Sequence, residues 1–278
     1  AYTRHKLRYV VGQGDEVYAY LLVPEACQVP APAVVAMHQY TALGKDEVAG
    51  IGGDPDMAYG HELAQRGYVV LIPDYLTGGE RAYPGVGAFV SAPFYDQYPN
   101  WSMVGKNVED SMAAVDVLHT LDEVDTLRIG VIGHSHGGHN AIFAAALDTR
   151  IAACASNCGM SVLSEEEQRM EWCNDAEDEY NYIPALKSYF EAGRAPPFDL
   201  HEVAALIAPR PWLNISAYWD SAYGDQTFLA ETGVMLYGVY ALYQKTDAFA
   251  YLMHGNGQSF PRHLRDLAYA WLDRYLQR

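Results

Sequence analysis

Along the chain, short apolar runs rich in β-branched residues alternate with segments whose apolar positions recur every three to four residues. A continuous apolar run of roughly four to eight residues bounded by Pro or Gly suits a buried strand, and a 3.6-residue period suits a helix with one buried stripe. On this reading residues 7–11 and 17–23 form an antiparallel edge pair. Residues 33–37 form a buried strand bounded by Pro32, and residues 68–72 another, stopped by Pro73. Residues 56–66 read as a helix with Gly67 as its C-cap. Residues 102–120 carry Val104, Val108, Met112, Val115 and Leu118 at helical spacing. Then follow strand 127–132, a small-residue helix over 138–147, strands 151–155 and 212–216, helix 226–243, strand 248–253 and a closing helix over 262–276. Strands that alternate with helices predict βαβ units: an α/β fold with a mostly parallel sheet flanked by helices.

Two segments break the alternation. Residues 74–101 are rich in Gly, Pro and aromatics, and residues 158–200 include a stretch (165–179) with eight acids and a single Arg. Loops this long inside a compact domain are uncommon and usually functional. Residues 1–278 are therefore read as one domain whose two insertions form a cap over a site.

The strongest local signal is Gly133-His134-Ser135-His136-Gly137. The apolar strand ending at Ile132 runs into it and the small-residue helix leaves it, which is the strand–turn–helix setting that a nucleophile elbow requires. The bend must hold Ser135 in a strained conformation so that its hydroxyl projects above the sheet. Gly133 and Gly137 leave room where a Cβ would clash. The helix N-terminus behind Ser135 favours developing negative charge.

With these residues in view the chain resembles the α/β-hydrolase superfamily, in the branch of dienelactone hydrolases, acetyl xylan esterases and prolyl-oligopeptidase-like esterases. The resemblance covers nearly the whole chain. It is carried by Met37-His38-Gln39-Tyr40, residues 66–74, Gly133 to Gly138, Ala208-Pro209-Arg210-Pro211 and Ser259-Phe260-Pro261. It implies a serine carboxylic-ester hydrolase with Ser135 as nucleophile and no cofactor. Two backbone amides must face the tetrahedral oxyanion. One belongs to His136. The other comes from the loop after the third strand, with Tyr40 first and Gln39 second, because relatives read His-Gly-aromatic where this chain has His38-Gln39-Tyr40. His38 itself is expected to be a structural histidine that hydrogen-bonds the loop. The acid follows the strand after the cap, which points to Asp220, with Asp225 as the rival that could be an N-cap instead.

The base is where the chain departs from the pattern. Relatives place a histidine in Gly-His-x-Phe-Pro, and here the phrase is Gly257-Gln258-Ser259-Phe260-Pro261. A carboxamide donates and accepts hydrogen bonds but cannot carry a proton near neutral pH. Three readings stay open: Gln258 replaces the base of an otherwise active hydrolase, His254 or His263 substitutes, or the chain is a pseudo-hydrolase that binds ligand without turnover.

Composition narrows the partners. A formal charge of −17 opposes binding to nucleic acid or an anionic membrane. No apolar run approaches the roughly 20 residues of a membrane span, and the start shows no signal-peptide pattern. Cys27, Cys154, Cys158 and Cys173 include no CxxC pair. Reduced thiols and a cytoplasmic setting are favoured, with a Cys158–Cys173 bridge left open. His134, His136 and His139 lie close in sequence, but the turn sends the first two to different sides, so no metal site is expected. Of the 22 tyrosines, Tyr75 and Tyr182 are expected to line the site with Trp101 and Trp172. Such walls suit a bulky ester or lactone as the small-molecule partner. Homo-oligomerisation is left open.

Overall fold

The computed structural model describes all residues except 27–28, 164–169, 175–178, 221–223 and 278. Most of the acidic stretch 165–179 and Cys27 therefore lie outside the described residues. Strands β1 (Tyr2–Val10), β2 (Glu16–Pro24), β3 (Ala31–Met37), β4 (Val69–Pro73), β5 (Val124–His134), β6 (Ala153–Asn157), β7 (Trp212–Ala217) and β10 (Phe249–His254) form one sheet in the order β1-β2-β4-β3-β5-β6-β7-β10. A short hairpin, β8 (Trp219–Asp220) with β9 (Gly224–Asp225), stands apart. The pair β1/β2 is antiparallel, as expected, and β2 meets β4 antiparallel; from β4 onward all pairings are parallel.

The helices are α1 (Lys45–Val48), α2 (Tyr59–Gln65), α3 (Ala92–Gln97), α4 (Met103–His119), α5 (His136–Leu147), α6 (Lys187–Glu191), α7 (Leu200–Ala205), α8 (Leu229–Leu242) and α9 (Arg262–Leu276). Strand side chains alternate between faces, and the fully apolar β3 shows what this does. Ala31, Ala33, Val35 and Met37 join the core under α4, α5, α7 and α8, whereas Val34 and Ala36 join the core under α1, α2 and α9. An apolar run thus serves two cores at once.

Several boundaries differ from the sequence reading. The helix expected over 56–66 is broken at Ala58: Asp54 caps a 3₁₀ turn, Pro55–Met57, by accepting from the Asp56 amide (2.9 Å) before α2 begins. Helix α5 starts two residues early, directly on Ser135. Helix α7 was not anticipated, although Asp199 and Glu202 form a capping box at its start.

The first insertion is held down by buried charge. Lys45 Nζ meets Asp74 Oδ2 at 2.6 Å. Arg81 and Lys106 both reach Asp110, at 2.5 and 2.8 Å. Removing one partner of such a pair strands a buried charge, so these pairs fix residues 74–81 against the sheet edge. Cys154, Cys158 and Cys173 are buried and not disulfide-bonded, so the bridge left open between the last two does not form. Cys158 instead lies at the sheet end beside Asp220 and the Ser259 backbone.

Candidate active site

Ser135 sits between β5 and α5 with φ 53° and ψ −119°. A side-chain-bearing residue held outside the favoured regions costs about 1–3 kcal/mol and persists only when its surroundings impose it. Here the Ser135 amide donates to the Asn157 carbonyl (2.8 Å) and the Ser135 carbonyl accepts from the His139 amide (3.0 Å). The glycines act as the motif requires: a Cβ on Gly137 would stand 1.9 Å from the Met37 carbonyl oxygen, and one on Gly133 2.1 Å from the Gly137 oxygen. Elbow and third strand are pressed together so tightly that no other residue fits.

Ser135 meets the residue at the expected base position. Gln258 Nε2 donates to Ser135 Oγ at 2.8 Å. The loop that carries Gln258 is fixed from below: Asn157 Nδ2 donates to the Ser259 carbonyl (2.9 Å), and Phe260 is buried between Tyr59 and His134. Neither rival histidine takes the place of Gln258 at Ser135. His254 Nδ1 accepts from the Asn256 amide and His263 Nε2 contacts the Asn256 side chain.

Asp220 is buried on β8, and a Cβ on Gly257 would stand 3.8 Å from the carbonyl oxygen of the neighbouring Trp219. Its charge is felt by Cys158, whose thiol is pushed up to about 12 by burial first and Asp220 second. Asp225 is exposed and accepts from the Thr227 amide (2.8 Å), a local turn contact ahead of α8.

On the opposite side of Ser135 lies the loop after β3. His38 is fully buried; its Nε2 accepts from the Tyr75 amide (3.1 Å), which leaves Nδ1 to donate to the Gln39 carbonyl (2.8 Å). Burial lowers its pKa, so it stays neutral and holds the loop, as expected of a structural histidine. Gln39 stands where relatives have Gly, and its carboxamide donates to Glu47 (2.8 Å), tying the loop to α1. Tyr40 stacks on Phe89 with centroids 3.7 Å apart.

The three histidines of the elbow diverge. His134 Nδ1 accepts from Asn157, and burial lowers its pKa to about 4. His139 packs edge-on against Trp172 and is likewise lowered to about 4 by burial. His136 enters an aromatic cage formed by Tyr40, Tyr75, Phe89, Tyr180 and Tyr182. Its Nδ1 contacts the Tyr182 hydroxyl (3.3 Å), and its buried Nε2 has no partner among the described residues. Burial holds its pKa well below the usual value.

Of the aromatics expected at the site, Tyr75, Tyr182 and, through Tyr182, Trp172 gather around the elbow. Trp101 does not: its ring contacts are Phe94 and Tyr98, and it faces a separate cavity. Trp101 precedes α4 and lies with Lys106 on one side of it, whereas Asn107 bonds Asn140 and Tyr180 on the other. Phe89 and Tyr180 belong to the aromatics of the two insertions expected to frame the site; sequence reasoning missed Asn157. Its one signal is that it is a polar residue at the end of a mostly apolar strand.

The fungal glucuronyl esterase family profile matches residues 90–240. YtaP of Bacillus subtilis is 30% identical over 213 residues, 74% of this chain and 66% of that protein. The 4-O-methyl-glucuronoyl methylesterase 1 of Wolfiporia cocos is 29% identical over 182 residues, 58% of this chain and 43% of that enzyme. The chain thus spans less than two thirds of the length of these relatives. The glucuronoyl esterase structure from Solibacter usitatus superposes with a TM-score of 0.71 at 17% identity, covering 98% of this chain and 86% of that one. The fold is the α/β-hydrolase fold, and the chain belongs to the glucuronyl esterase family.

Proposed function

We propose that this chain hydrolyses a carboxylic ester through an acyl-enzyme on Ser135. The observation that carries the reading is the 2.8 Å bond between Gln258 Nε2 and Ser135 Oγ inside a strained elbow. Ser135 attacks the ester carbonyl. The amides of His136 and of Tyr40 or Gln39 receive the oxyanion, and Asp220 orients the group at position 258. An acyl transfer of this kind must move the Ser135 proton to a base and then to the leaving alkoxide. The carboxamide of Gln258 holds the hydroxyl but cannot take that proton, so turnover by this chain is slow and a histidine at 258 completes the machinery.

The aromatics of the two insertions favour a bulky ester or lactone as substrate, and the names of the relatives favour an ester of a carbohydrate. A second reading, a pseudo-hydrolase that binds such a ligand without turnover, draws on the same Gln258. A fluorophosphonate probe separates the two. In Gln258→His it labels Ser135 and an acyl-enzyme accumulates on a slow ester. Tight ligand binding with neither labelling nor turnover in that variant supports the pseudo-hydrolase. Faster turnover of short p-nitrophenyl esters than of every bulky ester tested would remove the substrate proposal.

A further inference from the structure

A cavity of about 250 Å³ opens between the β1–β2 turn and the first insertion. Its walls are Tyr83, Phe94, Tyr98 and Trp101, and its floor holds Asp15 and Lys106. The rings interlock: Phe94 and Tyr98 lie 5.4 Å apart, and Tyr98 and Trp101 5.7 Å.

The floor is polar and already neutralised internally. The buried Lys106 ammonium meets Asp15 (2.9 Å), Glu109 (2.8 Å) and Asp110 (2.8 Å), which engages all three of its protons. Arg81 bonds both Asp15 and Asp110. Three carboxylates against two cations leave the floor with one net negative charge, which disfavours an anion. The Asp15 side chain is 34% exposed, and an ionised carboxylate has about four lone-pair sites, so it retains acceptor capacity toward the cavity. The hydroxyls of Tyr83 and Tyr98 and the indole N–H of Trp101 bond no protein group among the described residues.

We propose that this cavity binds a neutral pyranose ring. Flat aromatic walls match the C–H face of a sugar, while open hydroxyls, an indole N–H and a carboxylate match its hydroxyl rim. The volume lies below the roughly 300–1,000 Å³ of pockets for drug-sized ligands and suits one ring. Helix α4 separates it from the Ser135 site: Lys106 faces the cavity, and Asn107, the next residue, bonds Asn140 and Tyr180 on the other side. A sugar held here anchors a saccharide away from the reacting bond, and its binding does not depend on the ester-hydrolase reading.

The test uses ligands without an ester. Methyl β-D-glucopyranoside and methyl β-D-xylopyranoside are titrated against the intact chain by saturation-transfer NMR and tryptophan fluorescence, with sodium glucuronate and p-cresol as contrasts. Small-ligand efficiencies place the dissociation constant of a bound glycoside at about 1 mM. Trp101→Ala should weaken binding about tenfold by removing one stacking face. Gln97→Trp, at the exposed rim, should block it by filling the mouth; both positions are exposed enough for the variants to fold, which a melting curve checks. Saturation transfer to ring protons, weakened in Trp101→Ala and lost in Gln97→Trp, is the expected result. No binding at roughly 50 mM glycoside, binding indifferent to both substitutions, or tighter binding of glucuronate or p-cresol overturns the assignment.

Discussion

Replacing Gln258 by histidine gives the most informative perturbation of the site. In both side chains Nε2 lies three bonds beyond Cβ, so an imidazole at 258 places a proton acceptor where the carboxamide now donates to Ser135 Oγ at 2.8 Å. In serine hydrolases dissected residue by residue, losing the histidine costs roughly 10⁶-fold in kcat, and losing the acid alone roughly 10⁴-fold. A gain near 10⁶, about 8 kcal/mol of transition-state stabilisation, therefore means that Asp220 orients the new imidazole. A gain near 10² means that the base is present but unoriented. The assay is kcat and kcat/KM on p-nitrophenyl and methyl esters, with Gln258→His, Ser135→Ala in that background, and the unaltered chain side by side. The pH profile adds an independent readout. It should be flat from about pH 5.5 to 8 for the unaltered chain, because an amide does not titrate there, and should rise through a pKa near 6.5 for the variant. A gain below about tenfold, without fluorophosphonate labelling and with the imidazole shown in contact with Ser135 Oγ, would refute the serine-hydrolase reading.

Other outcomes follow from the same geometry. Gly137→Ala puts a methyl 1.9 Å from a backbone oxygen that cannot yield and should destabilise the chain by about 3 kcal/mol or more; denaturant melts test this, and a near-normal midpoint would contradict the close contact. Asn157→Ala removes the bonds to the Ser259 carbonyl and His134. It should cost about 1–3 kcal/mol and, in the Gln258→His background, lower kcat more than KM changes; an unchanged kcat would show that Asn157 does not position the 258 loop. His134 and His139 are each held neutral with pKa about 4 by burial, whereas the unfolded chain titrates them near 6.5. The unfolded state thus binds more protons below pH 6.5, and stability falls as pH drops toward 4. From pH 6.5 to 5 this is about 2 kcal/mol per histidine, enough to lower Tm by roughly 10 °C in calorimetry. His136, also held well below its usual value by burial, adds to the same slope, so His139→Gln should reduce that pH slope without abolishing it, and an unchanged Tm at pH 5 would show that the buried rings already carry protons.

What the sequence determined by itself was local. The alternation of apolar runs and helical stripes placed the eight strands of the main sheet, because strand and helix periods are set by neighbours a few residues apart. The glycines around Ser135 announced the elbow, because the bend is a steric demand of five consecutive residues. The chain also disclosed the chemical anomaly at 258, since a proton carrier cannot be disguised as an amide. The broken helix at Ala58 and the early start of α5 were misplaced because capping geometry decides a boundary to within a residue or two. Only the tertiary structure decided what met what. Gln258 and Ser135 are 123 residues apart, and it is the parallel packing of β5, β6, β7 and β10, with Asn157 as a tie, that delivers one to the other. The same packing chose His136 for the centre of an aromatic cage and sent Trp101 to another cavity. No periodicity encodes such choices, because they depend on which side of α4 a side chain leaves and on which distant surface is there to receive it.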